Sequence, residues 1–162
     1  MLKGKKIVLG VTGGIAVYKA VDLVSRLRKQ GCEVRVVMTE HAQQFVTPLT
    51  FKEISGNAVA TSMWNSNQEF NVEHIALANW ADAFLVAPAT ANILAKMTYG
   101  IADDLLSTTL LAAQAPIVVC PAMNTGMYLN AATQENIAKL QSRGITAVSY
   151  THLRAHETLM NL

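Results

Sequence analysis

Lys5-Lys6-Ile7-Val8-Leu9-Gly10-Val11-Thr12-Gly13-Gly14-Ile15-Ala16 is the stretch that decides the fold. Lys5 to Val11 is apolar and β-branched, reads as a strand, and runs straight into a glycine-rich turn. Tyr18 to Gln30 then carries Ala20, Leu23, Val24 and Leu27 at helical spacing, and Gly31 stops the helix. Glu33 to Met38 reads as a second strand. A strand, a crossover helix and a second strand make a βαβ unit, which implies a parallel sheet with a right-handed crossover.

Glycines let the backbone approach a phosphate closely, and the helix that follows offers free N–H groups at its positive end. Thr12 adds a hydroxyl. The spacing is not the G-x-G-x-x-G of dinucleotide folds. The second strand ends in Met38-Thr39, where those folds place an acid for the ribose hydroxyl. Glu40 keeps the dinucleotide reading open, but Thr39 is a better phosphate or ribityl donor, so a mononucleotide such as FMN fits better than NAD.

The 162 residues suffice for one domain with a real core. At 51% hydrophobic and 15% charged the chain is not disordered, and some surface is expected to be hidden by oligomerisation. A net charge of +2 is too small to imply nucleic acid or an anionic membrane as partner. No apolar run is long enough to span a bilayer, and Gly10, Thr12, Gly13 and Gly14 interrupt the N-terminal run too early for a signal peptide. Cys32 and Cys120 form no CxxC pair, so no metal site or disulfide is expected and a reducing cytoplasm is the default.

Farther out, Glu40 to Gln44 and Pro48 to Ser55 read as short helices. Asn57 to Asn71 is a long polar connection, a candidate lid or subunit contact. A helix opens at Val72-Glu73-His74-Ile75 and runs to Ala81. Asp82 to Ala87 reads as a buried strand ending at Pro88. A helix follows over Ile93 to Thr98, then a turn at Gly100 to Asp104 and a helix over Leu105 to Ala113, with Asp103 or Asp104 as cap. Ala115 to Cys120 is apolar enough to be a strand buried on both faces. Ala131 to Arg143 reads as a helix closed by Gly144, and Ile145 to Val148 as the last strand.

Three strand-end loops result: Thr12-Gly13-Gly14, Thr90-Ala91-Asn92 and Ala122-Met123-Asn124. In an open α/β sheet all three lie at the carboxyl edge, where ligands sit. Their small residues leave room, while hydroxyls and amides give neutral hydrogen bonds, which suits a flat heteroaromatic ring with a phosphate tail. No G-x-S-x-G elbow and no Walker A sequence is present. Asn124 is either a substrate-orienting amide or the cap of the next helix. Of the four histidines, His74 stands near a helix start, which favours the neutral imidazole that can act as a base; alternatively it is simply exposed there.

Gly10-Val11-Thr12-Gly13-Gly14-Ile15-Ala16-Val17-Tyr18-Lys19, Ala87 to Asn92, Gly100-Ile101-Ala102-Asp103-Asp104-Leu105-Leu106 and Pro121-Ala122-Met123-Asn124 together resemble the homo-oligomeric flavin-containing cysteine decarboxylases. Within them the similarity is to the phosphopantothenoylcysteine decarboxylases, from about Lys5 to Ile145. The resemblance implies a flavodoxin-like or Rossmann-like three-layer α/β sandwich that binds FMN between the subunits of a trimer, with trimers assembling further into dodecamers. It implies oxidative decarboxylation of 4′-phosphopantothenoylcysteine through a thioaldehyde-like species and an enethiol to 4′-phosphopantetheine, a step of coenzyme A biosynthesis. It assigns His74 and Asn124 as catalytic, with Asn124 holding the substrate carboxylate. FMN contacts map to Gly13, Gly14, Thr39, Thr90, Ala91, Asn92, Ala122 and Met123, beside the Thr12 of the glycine turn.

The resemblance stops at the C-terminus. The family continues into a Gly/Pro-rich flap whose cysteine helps reduce the enethiol. Residues 149–162, from Ser149-Tyr150-Thr151-His152 to Leu162, hold no Gly, Pro or Cys and read like a translated adapter string. The expected organisation is therefore an FMN-binding domain over 1–148 and a non-family tail over 149–162, with His152 and His156 not metal ligands, no ligase half, and the final reduction compromised. Three competing readings are a peptidyl-cysteine decarboxylase, a flavin prenyltransferase (disfavoured by Asn124 in its motif) and a non-catalytic flavin-binding regulatory subunit.

Overall fold

The computed structural model describes residues 2–64 and 73–148. Residues 65–71 of the connection Asn57 to Asn71, and everything expected of the tail 149–162, lie outside the described residues. The elements run β1 (Lys6–Val11), α1 (Val17–Lys29), β2 (Glu33–Met38), a 3-10 turn (Ala42–Gln44), α2 (Pro48–Ser55), α3 (Glu73–Trp80), β3 (Ala83–Ala89), α4 (Ala91–Tyr99), α5 (Leu105–Ala112), β4 (Ile117–Pro121), α6 (Thr125–Leu129), α7 (Ala131–Ser142) and β5 (Thr146–Ala147). The five strands form one parallel sheet in the order β2-β1-β3-β4-β5. The chain grows outward from β1 to β2, then returns to the other side of β1 to place β3. The β1/β3 border is therefore the switch point, where α/β sheets open a crevice at their carboxyl ends.

Strand periodicity sorts the core into two halves. Ile7, Leu9 and Val11 of β1 join Val34 and Val36 of β2 beneath α1 and α2, through Val17, Val24 and Phe51. Val8 faces the other way and joins Phe84, Val86 and Val119 beneath α3, α4, α5 and α7, through Leu77, Leu94, Leu106 and Leu140. Successive side chains on opposite faces are what a strand buried on both sides requires. The result is the three-layer α/β sandwich of the flavodoxin-like class.

Several boundaries differ from the sequence reading. β3 runs through Pro88, whose bond to Ala87 is cis, and reaches Ala89; its register with β4 shifts between Val86 and Ala89. A proline is admissible there because the irregularity removes the need for its N–H. α4 begins at Ala91, two residues earlier than periodicity suggested, because the Thr90 hydroxyl caps it by accepting from Ile93 N. The expected helix over Glu40 to Gln44 is only the 3-10 turn. α6 has no counterpart in the sequence pattern, because five residues are too few to show a period. Asp104, not Asp103, caps α5, in a reciprocal box with Ser107. No described helix is long and apolar enough to cross a membrane.

Gly10 lets the layers close. A Cβ there would stand 2.5 Å from Leu106 Cδ1, and Leu106 is too well buried to swing away. Gly10→Ala should destabilise by about 1–3 kcal/mol, the usual cost of overpacking. Leu106→Ala made in the same chain should recover part of that loss, so that the two changes are non-additive. Denaturant midpoints of the two single variants and the double variant measure it.

Candidate functional site

The carboxyl edge of the sheet carries two adjoining hollows. The first, of 490 Å³, runs from Thr12, Gly13 and Thr39 past Thr90, Ala91 and Asn92 to Lys96, Asp103 and Asp104. The second, of 440 Å³, is bounded by Gly13 and Gly14 at the start of α1, by Thr90 and Ala91, and by Ala122, Met123 and Asn124. Gly13, Thr90, Ala91 and Met127 line both. The fold therefore brings Thr12, Gly13, Gly14, Thr39, Thr90, Ala91, Asn92, Ala122, Met123 and Asn124 to one continuous cleft at the switch point.

The two glycines of the turn serve different ends. A Cβ on Gly13 would meet His41 Cβ at 2.5 Å and His41 backbone at 2.9 Å, so Gly13 is required by packing. A Cβ on Gly14 would find only Thr90 Cγ2, at 4.0 Å, and would occupy the second hollow instead. α1 beside it has no side-chain cap and no acid in its first turn, while Val17 N and Lys19 N are held by Gly14 O and Ala16 O.

Three threonines share the cleft and differ in what they can give. Thr39 Oγ1 accepts from Ala42 N at 3.2 Å, and Thr90 Oγ1 from Ile93 N at 3.3 Å. Each hydroxyl proton has no acceptor among the described residues. Thr12 is buried, and its hydroxyl donates to Pro88 O at 2.5 Å while accepting from Thr90 N at 3.1 Å. The donor that the sequence offered at Thr12 is thus already engaged inside the protein.

Asn124 satisfies both readings of it. Its Oδ1 accepts from Gly126 N at 2.8 Å and from Met127 N at 3.3 Å, which caps α6. A capped amide is an oriented amide: with its oxygen turned to the helix, its Nδ2 hydrogens remain for a ligand. Cys120, just before this loop, is half-buried, and burial pushes its thiol up from its ordinary value.

His74 lines neither hollow. It sits half-buried on the first turn of α3, whose Leu77 and Ala78 reach the core. The other end of α3 is held at the amino edge, where Arg35 Cζ lies 4.2 Å from the Trp80 ring centre and Lys6 N donates to Asp82 Oδ2. Its eight residues span about 12 Å toward the carboxyl edge. His74 thus stands at the right end of the sheet but outside this chain's own cleft.

Sequence reasoning missed His41, Lys96 and Met127 in the walls. Lys96 was legible as the i+4 neighbour of Asn92 on one helix face. Its Nζ binds Asp103 Oδ1 at 2.7 Å, with side-chain exposures of 19% and 57%. His41 and Met127 come from a 3-10 turn and a five-residue helix, which carry no pattern.

Against this geometry stand the comparisons. Residues 1–159 match the protein family described as Flavoprotein. The chain is 54% identical over 144 residues to the coenzyme A biosynthesis bifunctional protein CoaBC of Vibrio vulnificus, covering 89% of this chain and 36% of that protein. It is 52% identical to the CoaBC of Escherichia coli K12, with the same coverage. The chain spans about a third of the length of these curated relatives. Among solved structures it superposes on the FMN-dependent cysteine decarboxylase SpaF with a TM-score of 0.86, at 35% identity, over 91% of this chain and 85% of that one. It superposes on a PPC decarboxylase mutant complexed with pantothenoylaminoethenethiol with a TM-score of 0.78, at 30% identity, over 90% and 82% of the two chains.

The Lys96 wall gives a pH prediction. The hydrogen bond from Lys96 holds the Asp103 carboxyl below the usual carboxylate range. A folded value below the unfolded one means that the pair's contribution is complete above the unfolded value and is lost as pH falls through the folded value. Carboxyl NMR titration should show Asp103 ionising at lower pH than an ordinary aspartate, and Lys96→Met should raise it.

Proposed function

The chain belongs to the Flavoprotein family, and from that premise we propose that it is the FMN-dependent decarboxylase of 4′-phosphopantothenoylcysteine in coenzyme A biosynthesis. The observation that carries the proposal is the cleft itself: the cofactor residues expected from the sequence and Asn124 line two adjoining hollows at the carboxyl edge that share Gly13, Thr90 and Ala91. The identity to the CoaBC proteins and the likeness to a PPC decarboxylase supply the substrate.

The residues fit FMN. The free hydroxyl protons of Thr39 and Thr90, with the uncapped start of α1, suit a ribityl phosphate. Gly13, Gly14, Ala91, Ala122 and Met123 make a neutral, small-residue wall suited to a flat ring. Bound there, FMN supplies the two-electron oxidation of the substrate's cysteine carbon–sulfur unit that makes loss of carbon dioxide easy. Asn124 donates its Nδ2 hydrogens to the substrate carboxylate and fixes it in the cleft. Among the described residues no charged side chain lines the second hollow, which favours a carboxylate leaving as neutral carbon dioxide. His74 serves as the base that receives the thiol proton.

Because His74 lies outside the cleft of its own chain, the catalytic unit is read as an oligomer, a trimer, in which one subunit's His74 serves its neighbour's cleft. Exposed Ile15 and Met127 at the cleft, Tyr18 on the first turn of α1 and Ile75 beside His74 are apolar surfaces for such contacts. Two free cysteines suit a reducing cytoplasm. The domain is assigned to 1–148 with 149–162 as its tail. A non-catalytic flavin binder is the second reading, favoured by His74 lining neither hollow of its own chain.

Mixing the chain with 4′-phosphopantothenoylcysteine under anaerobic conditions should bleach the oxidised flavin band and release carbon dioxide; an unchanged band with no gas would sink the enzyme reading. Asn124→Asp keeps the capping oxygen and replaces the donors with an anion. It should keep stability within about 0.5 kcal/mol while lowering the decarboxylation rate on the order of 10²-fold or more. Co-refolded mixtures of His74→Asn and Asn124→Ala chains, each inactive alone, should regain part of the activity if the site is shared between subunits; no recovery would place His74 and Asn124 in the same protomer's site.

A further inference from the structure

The loops from β1 and β3 leave the sheet at its switch point and are joined there by one side chain. Thr12 Oγ1 donates to Pro88 O and accepts from Thr90 N, across 76 and 78 residues of sequence. Thr12 is 2% exposed, so water cannot substitute for either bond. A hydroxyl has one proton, and that proton is engaged with Pro88. Thr12 therefore has no hydrogen to offer a phosphate, although it stands in the wall of the first hollow.

Thr90 is the residue on which this bond acts. It caps α4, receiving Ile93 N on its Oγ1 and Leu94 N on its carbonyl oxygen. With Thr90 N held by Thr12, the amides of Ala91 and Asn92 are the two at this helix start without an acceptor among the described residues, and both residues line the cleft. The other end of α4 is fixed separately, by Arg143 Nη1 on Thr98 O at 2.7 Å and by the Lys96–Asp103 pair. Beyond the β1/β3 pairing, which ends at Gly10 and Val86, the Thr12 hydroxyl is the hydrogen-bonded link between the α4 start and the glycine turn among the described residues.

We propose that Thr12 is a positioning residue: its hydroxyl sets the start of α4 against the glycine turn, and it acts on the ligand through Thr90, Ala91 and Asn92 without touching it. The part concerning FMN rests on the proposed function; the positioning itself does not.

The test compares Thr12→Val, which keeps the shape and removes both bonds, with Thr12→Ser, which keeps the oxygen. Thr12→Cys, with a weak donor of similar size, serves if the valine variant does not fold. In the full chain without flavin, amide exchange at Thr90 is the first readout. In wild type and in Thr12→Ser it should be slow, and in Thr12→Val it should be faster by about tenfold or more, as expected when a buried amide loses its acceptor. FMN affinity by fluorescence quenching is the second: about tenfold weaker in Thr12→Val, restored in Thr12→Ser, consistent with the loss of about one net hydrogen bond. A role confined to folding would move the denaturation midpoint and leave both readouts alone, which would overturn the proposal. Wild-type affinity in Thr12→Val, or equal losses in the serine and valine variants, would also overturn it. If wild type takes up no flavin, the proposed function falls, and the exchange comparison decides the positioning role: equal Thr90 exchange in all variants overturns it, and the serine-rescued difference supports it.

Discussion

Where β1 meets β3 the sheet changes its direction of growth, and the loops leaving the two strands have no backbone ladder to hold them together. A buried hydroxyl does it. Thr12 donates to the Pro88 carbonyl and accepts from the Thr90 amide, inside a region where either group left alone would be costly. The glycine turn and the start of α4 are consequently fixed with respect to each other, and both hollows of the cleft share that boundary. Gly10 and Gly13 permit the arrangement by letting Leu106 and His41 approach closely.

The same economy recurs through the cleft. Thr39, Thr90 and Asn124 each give an oxygen to the amide of a short helix or turn that follows. A side chain that caps is held in one orientation, and the polar hydrogens it keeps are presented without the entropy cost of ordering them later. Structural and ligand-directed roles, which compete when a motif is read as text, are here two ends of the same group. Substituting such a residue by alanine removes both, and only a change that preserves the oxygen separates them.

Much of this was legible beforehand because it is local. The βαβ unit, the helix over α1, the carboxyl-edge loops and a cap within Asp103-Asp104 follow from periodicity and turn chemistry, and the structure chose Asp104. What escaped was short or long-range. α6 and the 3-10 turn at Ala42–Gln44 are too brief to carry a period, so Met127 and His41 were not placed in the walls. The role of Thr12 could not be seen because its partners lie 76 and 78 residues away. β3 outran its expected end because the register shift beside Pro88 is a property of its pairing with β4.

The sequence by itself determined the class of the sheet, the residue types at its carboxyl edge and the family to which they point. Those are consequences of spacing: which side chains alternate across a strand, which recur on a helix, and which glycines and hydroxyls follow a strand end. The tertiary structure alone decided which of those polar groups remain free. It engaged the Thr12 proton, left those of Thr39 and Thr90, turned the Asn124 amide, and set His74 outside the cleft. The reason is that hydrogen-bond satisfaction is settled between loops far apart in the chain, and a residue's type fixes what it can donate but not to whom.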